Sequence, residues 1–343
     1  MKLGDKAQVA ILMAVYQGRD YLPAQLESLA GQSLRDWLLI AGDDGSSDGS
    51  AVLLADFAAR RPKGQVRILP GPRQGAPANF RALLAHVPPQ ATHVAFCDQD
   101  DVWQPDKLAR AVAALPGDGP AIWCSRVINC DPALRQMSLS PLPRHAPGFR
   151  HALIQNMVQG NTLLMNRAAL DLVAAAHAEA GPVVMHDWWI YQLVTGAGGQ
   201  VIYDPEPSVL YRQHEGNLVG ANNRLRSRLG GLRRMLDGTY RDWSRTNLAA
   251  LRASAHRLTP ENRALLGDFA RLHGPLPQRI AAMRRGGESR HGARVRKARA
   301  RRRPAETASP AGTVTAPASP SSAISTASGV SRTQSATCSE RWA

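Results

Sequence analysis

Four short apolar runs, separated by segments with helical spacing, constrain this chain more than any other feature. Residues 9–16 (VAILMAVY), 37–42 (WLLIAG), 66–69 (VRIL) and 92–97 (THVAFC) each have the length of a buried strand. Between them, residues 21–32 carry Leu22, Leu26 and Leu29 at spacings of four and three, and residues 50–61 and 78–87 continue the helical pattern. Strands alternating with helices predict β-α-β units, an α/β class and a mostly parallel central sheet flanked by helices. Such sheets bind ligands outside the carboxyl ends of their strands. Two acidic groups stand at those ends. Asp43-Asp44 follows the second run, and Asp98-Gln99-Asp100-Asp101 follows the fourth. Both sets are therefore expected to line one crevice.

The second half is less regular. Residues 121–128 read as a strand, and residues 131–148, rich in Pro, Arg and His, read as a loop. Residues 160–166 predict a strand leading into a helix at 167–178, and a further helix is expected from His186 to 195. Residues 200–204 and 207–212 predict two short strands around Pro205 and Pro207, and 224–283 reads as helical. The expected organisation is a catalytic domain at 8–220, a helical C-terminal extension at 221–283 and a tail at 284–343.

Composition bounds the function. The 343 residues are 44% hydrophobic, enough for a sizeable core. No run of about 18 apolar residues predicts a membrane-spanning helix. The N-terminus reads as the start of the fold rather than a signal peptide. Cys97 and Cys124 sit in apolar runs, Cys130 and Cys338 complete the set, and no C-x-x-C pair occurs, so reduced thiols and a cytoplasmic location are expected. The net charge of +15 is uneven, because residues 284–303 hold ten Lys or Arg against one Glu. That run suits a polyanion or the anionic inner face of a membrane. The body has no aromatic-interleaved basic sheet or recognition helix, so no specific nucleic-acid partner is expected. Residues 304–343, rich in Ala, Ser, Thr and Pro, have little to bury and read as disordered; a shifted reading frame at the gene's end would leave the same composition.

The acidic groups suggest chemistry. Hard divalent cations such as Mg²⁺ or Mn²⁺ prefer carboxylate oxygens, and Mg²⁺ uses one or two of them beside substrate phosphates. An Asp-x-Asp at a strand end supplies that number, although a solvated acidic turn has the same spelling. A carboxylate at Asp43-Asp44 can accept the imide N–H of uracil or thymine, while Ser46 to Asp48 read as caps for the next helix. Asp187, at a helix start between His186 and Trp188-Trp189, is either a general base or a plain N-cap. The paired tryptophans suit a sugar face or a core. His214 can complete a metal site or meet a diphosphate. Arg81 and Arg212 are candidate phosphate partners.

Taken together these segments resemble the family-2 glycosyltransferases, in particular a bacterial rhamnosyltransferase-like subgroup of surface-polysaccharide synthesis. The carrying residues run from Leu12 to Gly18 and from Asp43 to Asp48. They continue through Gly75 with Asn79-Phe80, Cys97 to Trp103, Met185 to Trp189, and Tyr211 to His214. The resemblance implies a GT-A type nucleotide-sugar-binding fold and inverting transfer from a dTDP- or UDP-sugar to a saccharide or lipid-linked saccharide acceptor. It places Ala14, Tyr16, Asp43, Asp44, Gly75, Asn79 and Asp98 on the donor. It puts Asp98, Asp100 and His214 at a Mg²⁺ or Mn²⁺ site and makes Asp187 the base. Glu215-Gly216-Asn217 departs from the Gly-Asn-Asn usual after the histidine. The best donor reading is dTDP-rhamnose, the alternative UDP-galactose, UDP-glucose or UDP-N-acetylhexosamine. Two other readings are a basic polyanion- or membrane-surface-binding protein, and a relative that binds sugars without turnover.

Overall fold

Strict alternation of side chains puts the apolar runs in the middle of the molecule with a core on each face. The computed structural model describes residues 8–214 and 239–272. The first strand, β1 (Val9–Val15), is buried at every position. Its even-numbered residues Ala10, Leu12 and Ala14 enter one core, and Val9, Ile11, Met13 and Val15 enter the other. That two-sided burial is why the run reads as continuously apolar.

Parallel partners flank β1. Strand β2 (Trp37–Asp43) lies on one side and β4 (His93–Asp98) on the other, with β3 (Val66–Pro70) parallel beyond β2. Helices α1 (Leu22–Ala30), α2 (Ser50–Ala59) and α3 (Ala76–Leu84) make the crossovers. Helices α1 and α2 cover the odd-numbered face of β1, while α3 covers the even-numbered face. Past β4 come the two-residue β5 (Val102–Trp103) and helix α4 (Lys107–Ala114), then β6 (Ala121–Cys130) and β7 (Gln136–Leu139). They are followed by α5 (Phe149–Ala152), β8 (Leu164–Asn166), α6 (Arg167–Ala180), α7 (His186–Gly196) and β9 (Gln200–Arg212). The sheet order is β3-β2-β1-β4-β8-β6-β9-β5, with β7 added on β6. The long pairings are parallel, including β6 with β9, and the short strand β8 introduces antiparallel pairs to β4 and β6.

Two expectations are corrected here. The segment 131–148 is not wholly a loop, since β7 lies in it and pairs antiparallel with β6. All four β7 residues are exposed, so no alternation marks it. Its hairpin is shaped by Asp131, whose Oδ1 accepts the N–H of Ala133 and of Arg135, each at 2.9 Å. Likewise 200–212 is one strand, not two. Pro205 and Pro207 have no N–H to donate, and the ladder to β6 slips there, between Asp204 and Val209.

Two C-terminal helices, α8 (Thr239–Ala253) and α9 (Pro260–Leu272), pack on the α6/α7 side through Leu248, Leu251 and Leu266. Glu179 at the end of α6 receives Arg257 at 2.5 Å and Ser254 at 2.9 Å. The boundaries expected at 221 and 284, the basic run and the low-complexity tail lie outside the described residues. Cys97, Cys124 and Cys130 are buried free thiols. Among the described residues, no helix is long and apolar enough to cross a membrane.

A candidate active site at the carboxyl ends of the parallel strands

Parallel register brings the two acidic groups side by side. Ala14 sits between Gly42 of β2 and Asp98 of β4, and Val15 pairs with Asp43, which pairs with Pro70. Tyr16, one residue past β1, is 58% exposed beside them. This is the edge of the sheet at which the strand pattern predicts a ligand.

The loops around it are laced together. Asp43 Oδ1 accepts both the N–H and the hydroxyl of Ser46, at 3.0 and 2.6 Å. Ser46 Oγ in turn accepts the N–H of Gln17 at 3.0 Å. Asp48 accepts the N–H groups of Arg19 and Ser50, at 2.9 and 3.0 Å. Only Asp48 therefore serves the start of α2, whose N-cap position is Gly49 at φ 98°. Ser46 and Ser47 were expected as caps and instead tie the β1–α1 loop to the β2–α2 loop.

Asp44 is buried, and its two oxygens accept the N–H of Arg73 at 2.6 Å and of Gly75 at 2.8 Å. It thereby shapes the loop from β3 into α3. Gly75 enters α3 at φ 85° and ψ 170°, a conformation that side chains oppose. Asn79 is 1% exposed and donates to Gly42 O at 2.7 Å. It supports the end of β2 from below.

The Asp98–Asp101 run divides its labour. Gln99 pairs with the backbone of Tyr16, accepting its N–H at 2.9 Å and donating to its carbonyl at 2.8 Å. Asp100 Oδ2 meets His214 Nε2 at 2.7 Å. Asp101 is sealed in, accepting Asn161 Nδ2 at 2.6 Å and the Arg212 N–H at 3.1 Å. Burial, then the neighbouring charges of Asp100 and Asp187, push the Asp98 carboxyl up to about 7, against the opposing pull of Lys107. Burial, then Asp100 and Asp98, hold Asp101 well above the usual carboxylate range.

Lys107, in the first turn of α4, lies behind this run. It is fully buried, its Nζ lies 3.3 Å from the centre of the Trp103 ring, and it donates to Asn161 O at 2.8 Å. Burial pulls its ammonium down to about 7. In sequence it is an ordinary first-turn lysine, and only the fold puts it behind the carboxylates.

Asp187 is the second residue of α7, not its N-cap, which is Met185. Its Oδ1 accepts the Trp188 N–H at 2.6 Å, and its charge acts on Asp98. His186 packs on Phe80 and Phe96 at ring separations of 4.5 and 5.0 Å, and burial lowers its pKa. Trp188 and Trp189 are core residues, 3% and 2% exposed, so neither presents a sugar platform. The phosphate partners expected at Arg81 and Arg212 are otherwise engaged. Arg81 bonds His177 and Gly181 O on the α6 side. Arg212 is 4% exposed, stacks on Tyr21 at 4.6 Å, and donates to Asp100 O at 2.8 Å and to Pro132 O.

Asp98 and Asp100 suit a divalent cation in one respect. They are close enough to repel each other, and that repulsion is what a cation relieves. His214 stands on Asp100 through a hydrogen bond and stacks on Tyr21 at 4.9 Å. Among the described residues no three His, Cys, Asp or Glu side chains are gathered as a ready metal cage. A cation held by one or two protein carboxylates takes its remaining ligands from substrate phosphates and water.

Comparison with known proteins meets this geometry. Residues 10–171 match the model of glycosyl transferase family 2, a span running from β1 through both acidic groups into α6. The match supports a glycosyltransferase, and the α/β sheet with a core on each face is the fold class that the strand pattern predicts. It is similar to the dTDP-rhamnosyl transferase RfbG of Shigella flexneri, 29% identical over 217 residues, covering 61% of this chain and 74% of that one. An uncharacterized Mycobacterium tuberculosis protein is 27% identical over 213 residues, 60% of this chain and 59% of that one. Among solved structures, S. aureus TarS with UDP-GlcNAc aligns at TM-score 0.48 and 13% identity, covering 78% of this chain and 85% of that one.

Proposed function

We propose that this glycosyltransferase moves a sugar from a nucleoside-diphosphate donor to a hydroxyl of a saccharide acceptor, with inversion, in the synthesis of a cell-surface polysaccharide. The carrying observation is the row at the strand ends. Asp98 pairs with Ala14 of β1 and Asp43 with the next residue, Val15, and the charge of Asp187, from another part of the chain, acts on Asp98. In this reading the donor-side and acceptor-side carboxylates stand at one edge of the sheet.

In this reading the nucleotide lies over Ala14, Tyr16 and the Asp43–Asp44 and Gly75 loops, with Asn79 supporting β2 beneath it. Asp187 accepts the proton of the acceptor hydroxyl, whose oxygen forms the new bond to the anomeric carbon. The bond from that carbon to the donor phosphate breaks, and the nucleoside diphosphate leaves with the electron pair. Asp98 and Asp100, with His214 beside them, would hold a divalent cation, Mg²⁺ or Mn²⁺, which would supply positive charge to the leaving diphosphate. The proposed catalytic unit is 8–220. The basic run at 284–303 suits the inner membrane face, where a lipid-linked acceptor is found.

Similarity to a dTDP-rhamnosyl transferase favours dTDP-rhamnose as donor. UDP-galactose, UDP-glucose and UDP-N-acetylhexosamine form the second reading, because thymine and uracil present the same imide N–H to a carboxylate. A screen of these donors with Mn²⁺ and saccharide acceptors, reading released nucleotide, decides between them. Absence of acceptor-dependent release from every nucleotide sugar would overturn the proposal. Calorimetry with dTDP and UDP, with and without Mn²⁺, gives the base preference independently.

A further inference from the structure

Lys107, Asn161 and Asp101 are polar, buried and outside the chemistry proposed above. They are 0%, 3% and 0% exposed. Lys107 Nζ donates to Asn161 O at 2.8 Å, and Asn161 Nδ2 donates to Asp101 Oδ2 at 2.6 Å. The other Asp101 oxygen accepts the Arg212 N–H at 3.1 Å, and Arg212 itself holds Asp100 O. One chain of bonds therefore runs from the start of α4, through the turn Gly160–Thr162, to the ends of β4 and β9.

That turn adjoins the proposed base. A Cβ on Gly160 would stand 3.1 Å from His186 Nε2 and 3.5 Å from Asp187 Oδ2, so the backbone next to Asn161 abuts both residues. The turn is fixed to the sheet a second time, where Phe96 N–H donates to Leu163 O at 3.0 Å. Burying an ammonium and a carboxylate is expensive, and apolar residues of similar size often serve stability as well or better. What an apolar filling lacks is direction. A hydrogen-bonded lysine and asparagine hold a turn at one distance from a strand end, and catalysis depends steeply on such distances.

We infer that the buried Lys107–Asn161–Asp101 clamp is the positioning device that sets how far Asp187 stands from Asp98 and Asp100. The inference rests on the donor and acceptor roles proposed above. None of the three touches substrate, and all act through the turn and the Asp98–Asp101 run. Loosening the clamp should leave the donor bound and separable from its sugar, but with the acceptor hydroxyl misplaced. Water then takes a larger share of the sugar.

Asn161→Ala removes the side-chain bond and keeps the carbonyl that Lys107 uses. In the full chain, the expected result is transfer reduced about 10²-fold, with nucleotide Kd changed little and the ratio of donor hydrolysis to transfer raised. Lys107→Gln is the second variant, retaining a donor without the charge. Amide hydrogen exchange gives a readout that needs no turnover. Residues 156–163 should exchange faster in both variants while 9–15 do not. Unchanged exchange at 156–163, or hydrolysis and transfer falling in equal proportion, would overturn the clamp. A native chain that turns over no donor would count against the proposed function instead, and exchange would then decide the clamp alone.

Discussion

Gln99 and Tyr16 are joined at both ends of the glutamine amide, which accepts the Tyr16 N–H at 2.9 Å and donates to the Tyr16 carbonyl at 2.8 Å. The pair ties the loop after β1 to the acidic run after β4. Gly18 leaves room for it, since a Cβ there would fall 2.4 Å from Gln99 Oε1. The glutamine tip could swing away from an added methyl only by giving up both bonds. Gln99→Ala and Gly18→Ala should therefore share a phenotype. Nucleotide affinity should weaken by about 1–2 kcal/mol, roughly tenfold, with little change in melting temperature. Calorimetry with the preferred nucleotide checks it, and a Gly18→Ala variant with native affinity would break the link.

Asp187 carries the proton in the proposed reaction. Asp187→Asn keeps the size of the side chain and the oxygen that accepts the Trp188 N–H at 2.6 Å. Helix α7 should therefore stay in place. Transfer should fall by about 10²–10⁴-fold, the usual worth of a general base, while nucleotide Kd stays within about twofold of native, a change under 0.5 kcal/mol. A steady-state transfer assay run beside calorimetry separates the two effects, and full activity would remove Asp187 from its role.

The row at the strand ends is legible because its signals are local. A buried strand advertises itself by an apolar run, and an aspartate just after it must stand at the edge of the sheet. Asp43 and Asp98 follow this rule, and the register sets both beside the end of β1. Asp101 shows the limit. In sequence it is the equal of Asp98 and Asp100, yet it is sealed and bonded to Asn161 and Arg212. Those partners lie far along the chain, so no local pattern foretells its role. Lys107 is the same case, because a lysine in a first helical turn reads as solvated unless the fold is seen to close over it. Arg81 failed for the opposite reason. Its charge suggested phosphate, but the helix turns it toward His177 and Gly181.

Asp44 was expected to read the nucleotide base, and its geometry adds a second duty that a substitution can expose. Both of its oxygens accept backbone N–H groups, from Arg73 and Gly75. An asparagine at 44 would turn an NH₂ toward one of these donors and leave it unsatisfied, a loss of about 1–3 kcal/mol. Asp44→Asn should thus lower melting temperature as well as nucleotide affinity. Asp43→Asn, whose partner Ser46 offers a rotatable hydroxyl, should be milder in both. Thermal melts with and without nucleotide compare the two, and equal stability of the variants would argue against the loop-shaping role.

Asp98 and Lys107 together make a prediction about pH. The Asp98 carboxyl is raised from 3.8 to about 7 in the folded chain. Between those values the native state holds a proton that the unfolded state has released. The stability this confers is complete below about pH 4 and is lost as pH rises through 7. Lys107 is lowered from 10.5 to about 7. Above 7 the unfolded state holds the extra proton, so stability rises with pH toward 10. The two limbs meet near neutrality, and the metal-free protein should show a shallow local minimum there. Asp98→Asn should make the acid limb shallower, leaving the part that Asp101 carries, and Lys107→Gln should remove the alkaline limb while moving the acid one upward, because the Lys107 charge opposes the rise at Asp98. A bound divalent cation needs Asp98 ionised, so Mn²⁺ should stabilise more at pH 8 than at pH 6. Melting temperatures from pH 5 to 9, with Mn²⁺ and with chelator, test all three expectations. A metal effect that grew toward acid pH would mean that Asp98 does not titrate at the cation site.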